Sequence, residues 1–187
     1  MISWKEVAPD YQSWTISEYF RELTVPDVIT LGLTAANDIA LVVHEAVEMS
    51  VRKHVSEHSC EVGGLLVGRI CRGNVNTREK EILIVSIEQS VPSQAFTGTG
   101  VSLRMEPEIW SNTEKYLSGK RAIVGWYHSH PNLGAFFSGT DRKTQSDFFH
   151  HDYSFGWVID HVRTEEKWFR GAKSESFSET QLLRFKK

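Results

Sequence analysis

The chain has 187 residues, 40% of them apolar and 24% charged, with a formal net charge of -3 at pH 7. Those values are those of an ordinary globular domain, and at this length about two-thirds of the unfolded surface can be buried in a core without staples. The charge balance gives no electrostatic reason to expect nucleic acid or an anionic membrane as partner, and no apolar stretch approaches a membrane span.

Residues 1–37 carry Trp4, Tyr11, Trp14, Tyr19 and Phe20 without strong strand alternation, and Pro26 with the stretch 30–37 breaks the pattern. They read as an N-terminal extension that lays aromatics on the main domain, or as a partner-binding arm. The opening MISWKEVAPD lacks a basic segment followed by an apolar one, so no signal peptide is expected and a cytoplasmic protein is the simplest reading. From residue 38 the elements sharpen. Ile39 to Val43 is a short apolar strand, and 45–58 places Ala46, Met49, Val51 and Val55 at a helical period. Val62 to Ile70 is apolar but holds Gly63, Gly64 and Gly68, which points to a buried strand approached by another backbone.

Cys60 and Cys71 are too few for a disulfide framework and read as thiols in or beside that strand. Glu81 to Val91, with its ILIVSI run, follows a polar turn at Gly73-Asn74 as a second buried strand, and 92–100 is a loop by composition. A helix over 106–118 has Pro107 in its first turn and ends at Gly119. Ala122 to Tyr127 is a strand leading into His128, 140–150 is helical, and 155–162 and 167–172 close the domain as two strands around Thr164-Glu165. The order β-α-β-β-α-β-α-β-β mixes hairpins with crossovers, which predicts an α+β or mixed α/β fold.

The chemistry concentrates in Gly125-Trp126-Tyr127-His128-Ser129-His130-Pro131, followed by Ser138 and Asp141. In a strand, residues i and i+2 point to the same side about 6–7 Å apart, so His128 and His130 can converge on one cation. The loop 131–137 contains Pro131 and Gly134 and can turn the chain back. Ser138 then opens a helix with Asp141 in its first turn, a capping-box-like start, and this makes Asp141 the natural third ligand. Two imidazoles and one carboxylate leave a zinc ion with an open position, the arrangement of a catalytic rather than a structural site. Each feature alone has a bland reading: a surface histidine pair, a helix cap. His150-His151 reads as a pair at a helix end interacting with the last carbonyls, and His44, His54 and His58 are assigned no chemistry. The HExxH helix and the G-x-S-x-G elbow are absent.

Taken together, His128-x-His130, seven residues, Ser138, two residues and Asp141 resemble the motif of the JAMM/MPN+ metalloprotease family. The family adds an upstream glutamate in a context like E-V-x-G-L-L-x-G, and the matching stretch here is Glu61-Val62-Gly63-Gly64-Leu65-Leu66-Val67-Gly68. The resemblance covers residues 38–175; residues 1–37 and a tail over 176–187 fall outside it. It implies an MPN/JAMM-like, cytidine-deaminase-like fold with a twisted mixed sheet flanked by helices. It also implies one catalytic zinc on His128, His130 and Asp141, a water bridging to Glu61 as general base, and Ser138 as a donor to the oxyanion. Family members cleave after the C-terminal tail of ubiquitin or ubiquitin-like proteins, often at isopeptide bonds, so a tail of that kind is the expected partner. Strand addition at an edge near 97–104 would hold it. The short segment 148–156, where chain-specific deubiquitinases carry a larger insertion, and the wording EVGGLLVGR are closer to stand-alone bacterial members. Several of those accompany ubiquitin-like conjugation machinery, including antiphage operons. Two other readings compete: a non-catalytic MPN scaffold, whose members typically lose ligands, and a zinc hydrolase acting on small peptides or another substrate.

Overall fold

The computed structural model describes residues 12–34, 38–74, 81–93 and 108–186. Their elements run β1 (Trp14–Thr15), α1 (Ile16–Phe20), α2 (Val25–Thr34), β2 (Ile39–His44), α3 (Glu45–Ser56), β3 (Gly63–Gly73) and β4 (Ile82–Pro92). Then come α4 (Glu108–Glu114), β5 (Ala122–Ser129), α5 (Gly139–Phe148), β6 (Phe155–Asp160), β7 (Glu165–Arg170), β8 (Glu175–Ser176), a 3-10 turn (Glu179–Gln181) and β9 (Leu182–Phe185). The sheet has the order β8-β7-β6-β5-β3-β4-β2-β9, with β1 beside β3. Pairs β2–β4, β2–β9 and β5–β6 are parallel, while β3–β4, β3–β5 and β6–β7 are antiparallel. The expected mixed α/β architecture is therefore present, with hairpins where connections are short and helical crossovers before the parallel partners.

Alternation along the strands sorts side chains onto two faces. Leu41, Val43, Leu66, Val85, Tyr127 and Trp157 pack with Val47, Val51 and Val55 of α3 on one face. On the other, Leu65, Val67, Trp126, Val158 and Phe169 pack with Ile109, Phe137 and Phe149. Further along that face, Ala40, Val42, Cys71 and Ile84 meet Ile16, Tyr19 and Leu31 from α1 and α2. The core stripe of α3 is thus Val47-Val51-Val55, spaced by four. Val51 and Val55 lie on it as expected, whereas Ala46 and Met49, expected with them, are exposed, since neither is three or four residues from Val51. The buried Cys71 lies in β3 as expected, whereas Cys60 is exposed just before it.

Over its described residues, 12–34, the N-terminal segment forms two helices that the sequence pattern does not predict. Thr15 and Glu18 form a reciprocal capping box that starts α1, and Thr24 Oγ1 donates to Asp27 at the start of α2 at 2.5 Å. Pro26, read as a break, sits in the first turn of α2, where its missing N–H costs no helical hydrogen bond. The segment 176–187, expected as a tail, contributes β9 beside β2, with Leu182 and Phe185 buried. The loop 94–100, the proposed strand-addition edge 97–104, Pro107, Trp4 and Tyr11 lie outside the described residues. Among the described residues no helix is long and apolar enough to cross a membrane.

Although β7 and β9 stand near opposite ends of the strand order, Arg184 of β9 bonds Glu166 of β7 at 2.6 Å and Glu48 of α3 at 2.7 Å, and Arg52 of α3 bonds Glu166 at 2.5 Å. The sheet therefore curls around α3 until its two ends meet through a chain of ion pairs. Glycine lets the middle strands approach as the sequence predicts: a Cβ on Gly68 would lie 1.8 Å from the Ser86 carbonyl oxygen, at the point where β3 shifts register against β4. A Cβ on Gly32 in α2, by contrast, would meet nothing within 4 Å. Opposite signs are expected in urea unfolding: Gly68→Ala should cost about 3 kcal/mol, and Gly32→Ala should add about 0.5–1 kcal/mol by restricting the unfolded chain.

Candidate metal centre

β5 carries its ligand candidates at its C-terminal end, between β3 and β6. His128 pairs with Gly63 and with Val158, and His130 leaves the strand with its N–H donated to the Ile159 carbonyl at 2.9 Å. As the period of two requires, both rings fall on one face: His128 Nε2 and His130 Nε2 are 3.1 Å apart. The chain then turns back and α5 begins at Ser138, which caps it by accepting from the Asp141 N–H at 3.2 Å. Asp141 in turn accepts the Ser138 N–H on Oδ2 at 2.7 Å. Its Oδ1 lies 3.3 Å from His128 Nε2, and its Oδ2 lies 3.6 Å from His130 Nε2. The helix cap and the approach to the histidines are one arrangement.

The donor atoms of His128, His130 and Asp141 lie within 4.8 Å of one another, and all three residues are buried. Two imidazole nitrogens 3.1 Å apart must share a proton or a cation, since two lone pairs at that distance repel. Nitrogen and carboxylate oxygen donors without thiolate suit a borderline divalent ion such as zinc, so the side chains present fit the group that the motif implies. Glu61 sits just ahead of β3, buried, with Oε1 3.7 Å from His130 Nε2. It is placed by its neighbour: Val62 donates to Ser129 Oγ at 3.0 Å and accepts from Ser129 N–H at 2.8 Å, which ties the start of β3 to the end of β5. Ser138 is half-buried. All five sequence-predicted site residues are therefore brought to one place.

Burial pushes the Glu61 carboxyl above the usual carboxylate range; His128 opposes that and Asp141 adds to it. Burial also lowers the His130 imidazole, with further help from His128, which favours the neutral ring that a metal needs. For Asp141 burial opposes ionisation, but His128 and the hydrogen bonds from Ser138 outweigh it and hold the carboxyl well below its ordinary range.

Sequence reasoning passes over the support behind His128. Trp126 stacks on the His128 ring at 4.6 Å with the planes 7° apart, and its Nε1 donates to Gln145 Oε1 at 2.7 Å. Gln145 is one helical turn after Asp141, so α5 offers a ligand candidate and a clamp on the same face. The signal lies in the spacing: Trp126 is two residues before His128 and Gln145 four after Asp141. The other histidines lie elsewhere. His44 Nε2 is 3.3 Å from Ser86 Oγ, and His54 Nδ1 is 2.9 Å from the Tyr127 hydroxyl. His150 and His151 follow the end of α5 with ring centroids 4.3 Å apart and planes tilted by 42°, and His151 lies flat against Tyr153.

Comparison with known proteins bears on the fold and the family. The solution structure of a protein from Desulfitobacterium hafniense superposes with a TM-score of 0.58 at 17% identity, covering 79% of this chain and 94% of that one, which bears on the fold alone. COP9 signalosome complex subunit 5 of Eremothecium gossypii is 31% identical over 103 residues, 52% of this chain and 22% of that protein. The NAD(+) hydrolase TcpA of a Theionarchaea archaeon is 32% identical over 99 residues, 53% of this chain and 26% of that protein. The chain thus spans about a quarter of the length of these curated relatives. The family of prokaryotic homologues of the JAB domain matches residues 44–171, which takes in all five site residues, and the chain belongs to that JAB/MPN family, the one its His128-to-Asp141 motif resembles.

Proposed function

We propose that this protein is a zinc-dependent peptidase or isopeptidase that cleaves after the C-terminal tail of ubiquitin or a ubiquitin-like protein. The observation that carries the reading is the buried convergence of His128, His130 and Asp141, with the carboxylate of Glu61 at its margin and the Ser138 hydroxyl at the start of the same helix as Asp141. His128 and His130 would hold the ion through Nε2 and Asp141 through a carboxylate oxygen. Zinc, when bound, supplies Lewis acidity and makes a neighbouring water a good nucleophile near neutral pH.

The remaining chemistry falls to the chain. Glu61, whose carboxyl burial raises, is suited to take a proton from the attacking water and return it to the departing amine. Ser138 Oγ already accepts from the Asp141 N–H, so its own proton can be donated to the oxyanion of the tetrahedral intermediate. An amide carbon is thereby attacked by water, its C–N bond breaks, and the amine leaves with the proton that Glu61 carried. The substrate class rests on the family resemblance rather than on the site, and with it a place in a ubiquitin-like conjugation system of the kind found in antiphage operons.

The direct test is cleavage of a ubiquitin-like protein with a C-terminal fusion, with ubiquitin itself as comparison, by wild type, Glu61→Ala and chelated enzyme. Scission at the tail that both controls abolish is expected; bound zinc with no cleavage of any tail would overturn the substrate assignment. Glu61→Ala should keep zinc while kcat falls about 10²–10⁴-fold. Asp141→Ala should lose zinc at limiting metal, and equal zinc content there would contradict the ligand assignment. Ser138→Ala should lower kcat by about 10²–10³-fold and, through the lost cap, reduce stability by about 1 kcal/mol in chemical denaturation.

A further inference from the structure

Asp160, the last residue of β6, is fully buried, and its carboxylate faces backbone rather than solvent. Oδ1 accepts from the N–H groups of Asn132 and Val162 at 3.0 Å and of Arg163 at 3.1 Å, and Oδ2 accepts from Gly134 at 2.7 Å. Burial opposes its ionisation, but these backbone donors outweigh burial and keep the carboxyl below its usual range. Two loops are therefore gathered on one charge: the β6–β7 turn and the segment that follows His130.

That second segment is tightly specified. Leu133 N–H closes a turn onto the His130 carbonyl at 3.1 Å, with Pro131 and Asn132 at its centre and Asn132 at φ 60, as a type II turn requires. Gly134 follows at φ +93, its N–H on Asp160 and its carbonyl 3.3 Å from His130 Nδ1. A carbonyl only accepts, so Nδ1 must carry the ring proton, and Nε2 then presents a lone pair toward His128 and Asp141.

We infer that Asp160 is a positioning residue for the metal centre: by anchoring the 132–134 turn it fixes the Gly134 carbonyl, which sets the tautomer of His130 and aims Nε2 into the site. The inference rests on the reading of His130 as a ligand. A single Asp160→Asn substitution keeps the size of the side chain but replaces one acceptor oxygen with an NH2 group, which cannot accept from either Gly134 or the trio on the other side.

Long-range 1H–15N spectra of the metal-free full chain, at a pH where the imidazoles are neutral, read the tautomer of each ring. His130 is expected with its proton on Nδ1 in the wild type and as a mixture of tautomers in Asp160→Asn. Zinc affinity, measured by competition with a chromophoric chelator, is expected to fall about ten- to a hundred-fold in the variant. A wild-type His130 protonated on Nε2 would overturn the inference, and that measurement needs no variant to fold. So would a folded Asp160→Asn whose tautomer is unchanged, even with weaker zinc, since that pattern marks a merely structural role. A wild-type chain with the Nδ1 proton in place but no affinity for zinc would instead defeat the ligand reading of His130, and leave the hold of Asp160 on the ring upheld.

Discussion

Asp141 joins the fold to the site through one carboxylate. Oδ2 accepts the Ser138 N–H and so begins α5, while Oδ1 turns toward His128. The third position of a capping box alone would take any side chain that can accept the N-cap N–H, and a ligand alone would accept any carboxylate within reach. Meeting both demands fixes where α5 starts, how it leans on the end of β5, and how long the loop between them must be. The same coupling explains why the carboxyl stays ionised in a buried setting, since desolvation is outweighed by His128 and by the donors at the helix start.

The sheet serves this junction. β5 lies between an antiparallel partner, β3, and a parallel one, β6, so a short connection brings Glu61 in from one side while the α5 crossover brings Asp141 in from the other. Ligands tend to bind where such a change of direction leaves strand ends open. Behind the site, Trp126 and Gln145 brace His128. On the opposite face α3 fills the curl of the sheet, and the ion pairs of Arg52 and Arg184 with Glu48 and Glu166 close it. The arginines of these pairs are half-exposed and each pair contributes modestly; apart from Arg52–Glu48 within α3, their value lies in joining separate elements.

Much of this is legible in the chain. His128 and His130 declare themselves through the period of two, and Ser138 with Asp141 through the spacing of a capping box. Glu61 becomes readable only through the family resemblance, because a glutamate ahead of an apolar strand has no signature of its own. The N-terminal helices are obscured because Trp14, Tyr19 and Phe20 do not repeat at a helical period, although the Thr15–Glu18 box marks where α1 begins. β9 escapes a reading of the sequence because four residues, Leu182–Phe185, are too short to show alternation, and their place is set by pairing with β2 far away in sequence. In α3, Val51 and Val55 hold the core face as the pattern predicts, and Val47, four residues before Val51, joins them in place of Ala46 and Met49.

The metal itself gives the sharpest measurement. Zinc-edge X-ray absorption on the full chain loaded with one equivalent should show a first shell of nitrogen and oxygen only, with the outer scattering of two imidazole rings, and the imidazole count should fall to one in His130→Ala. A shell containing sulfur, a fourth protein ligand in place of water, or a spectrum unchanged by that substitution would contradict a catalytic ion held by His128, His130 and Asp141.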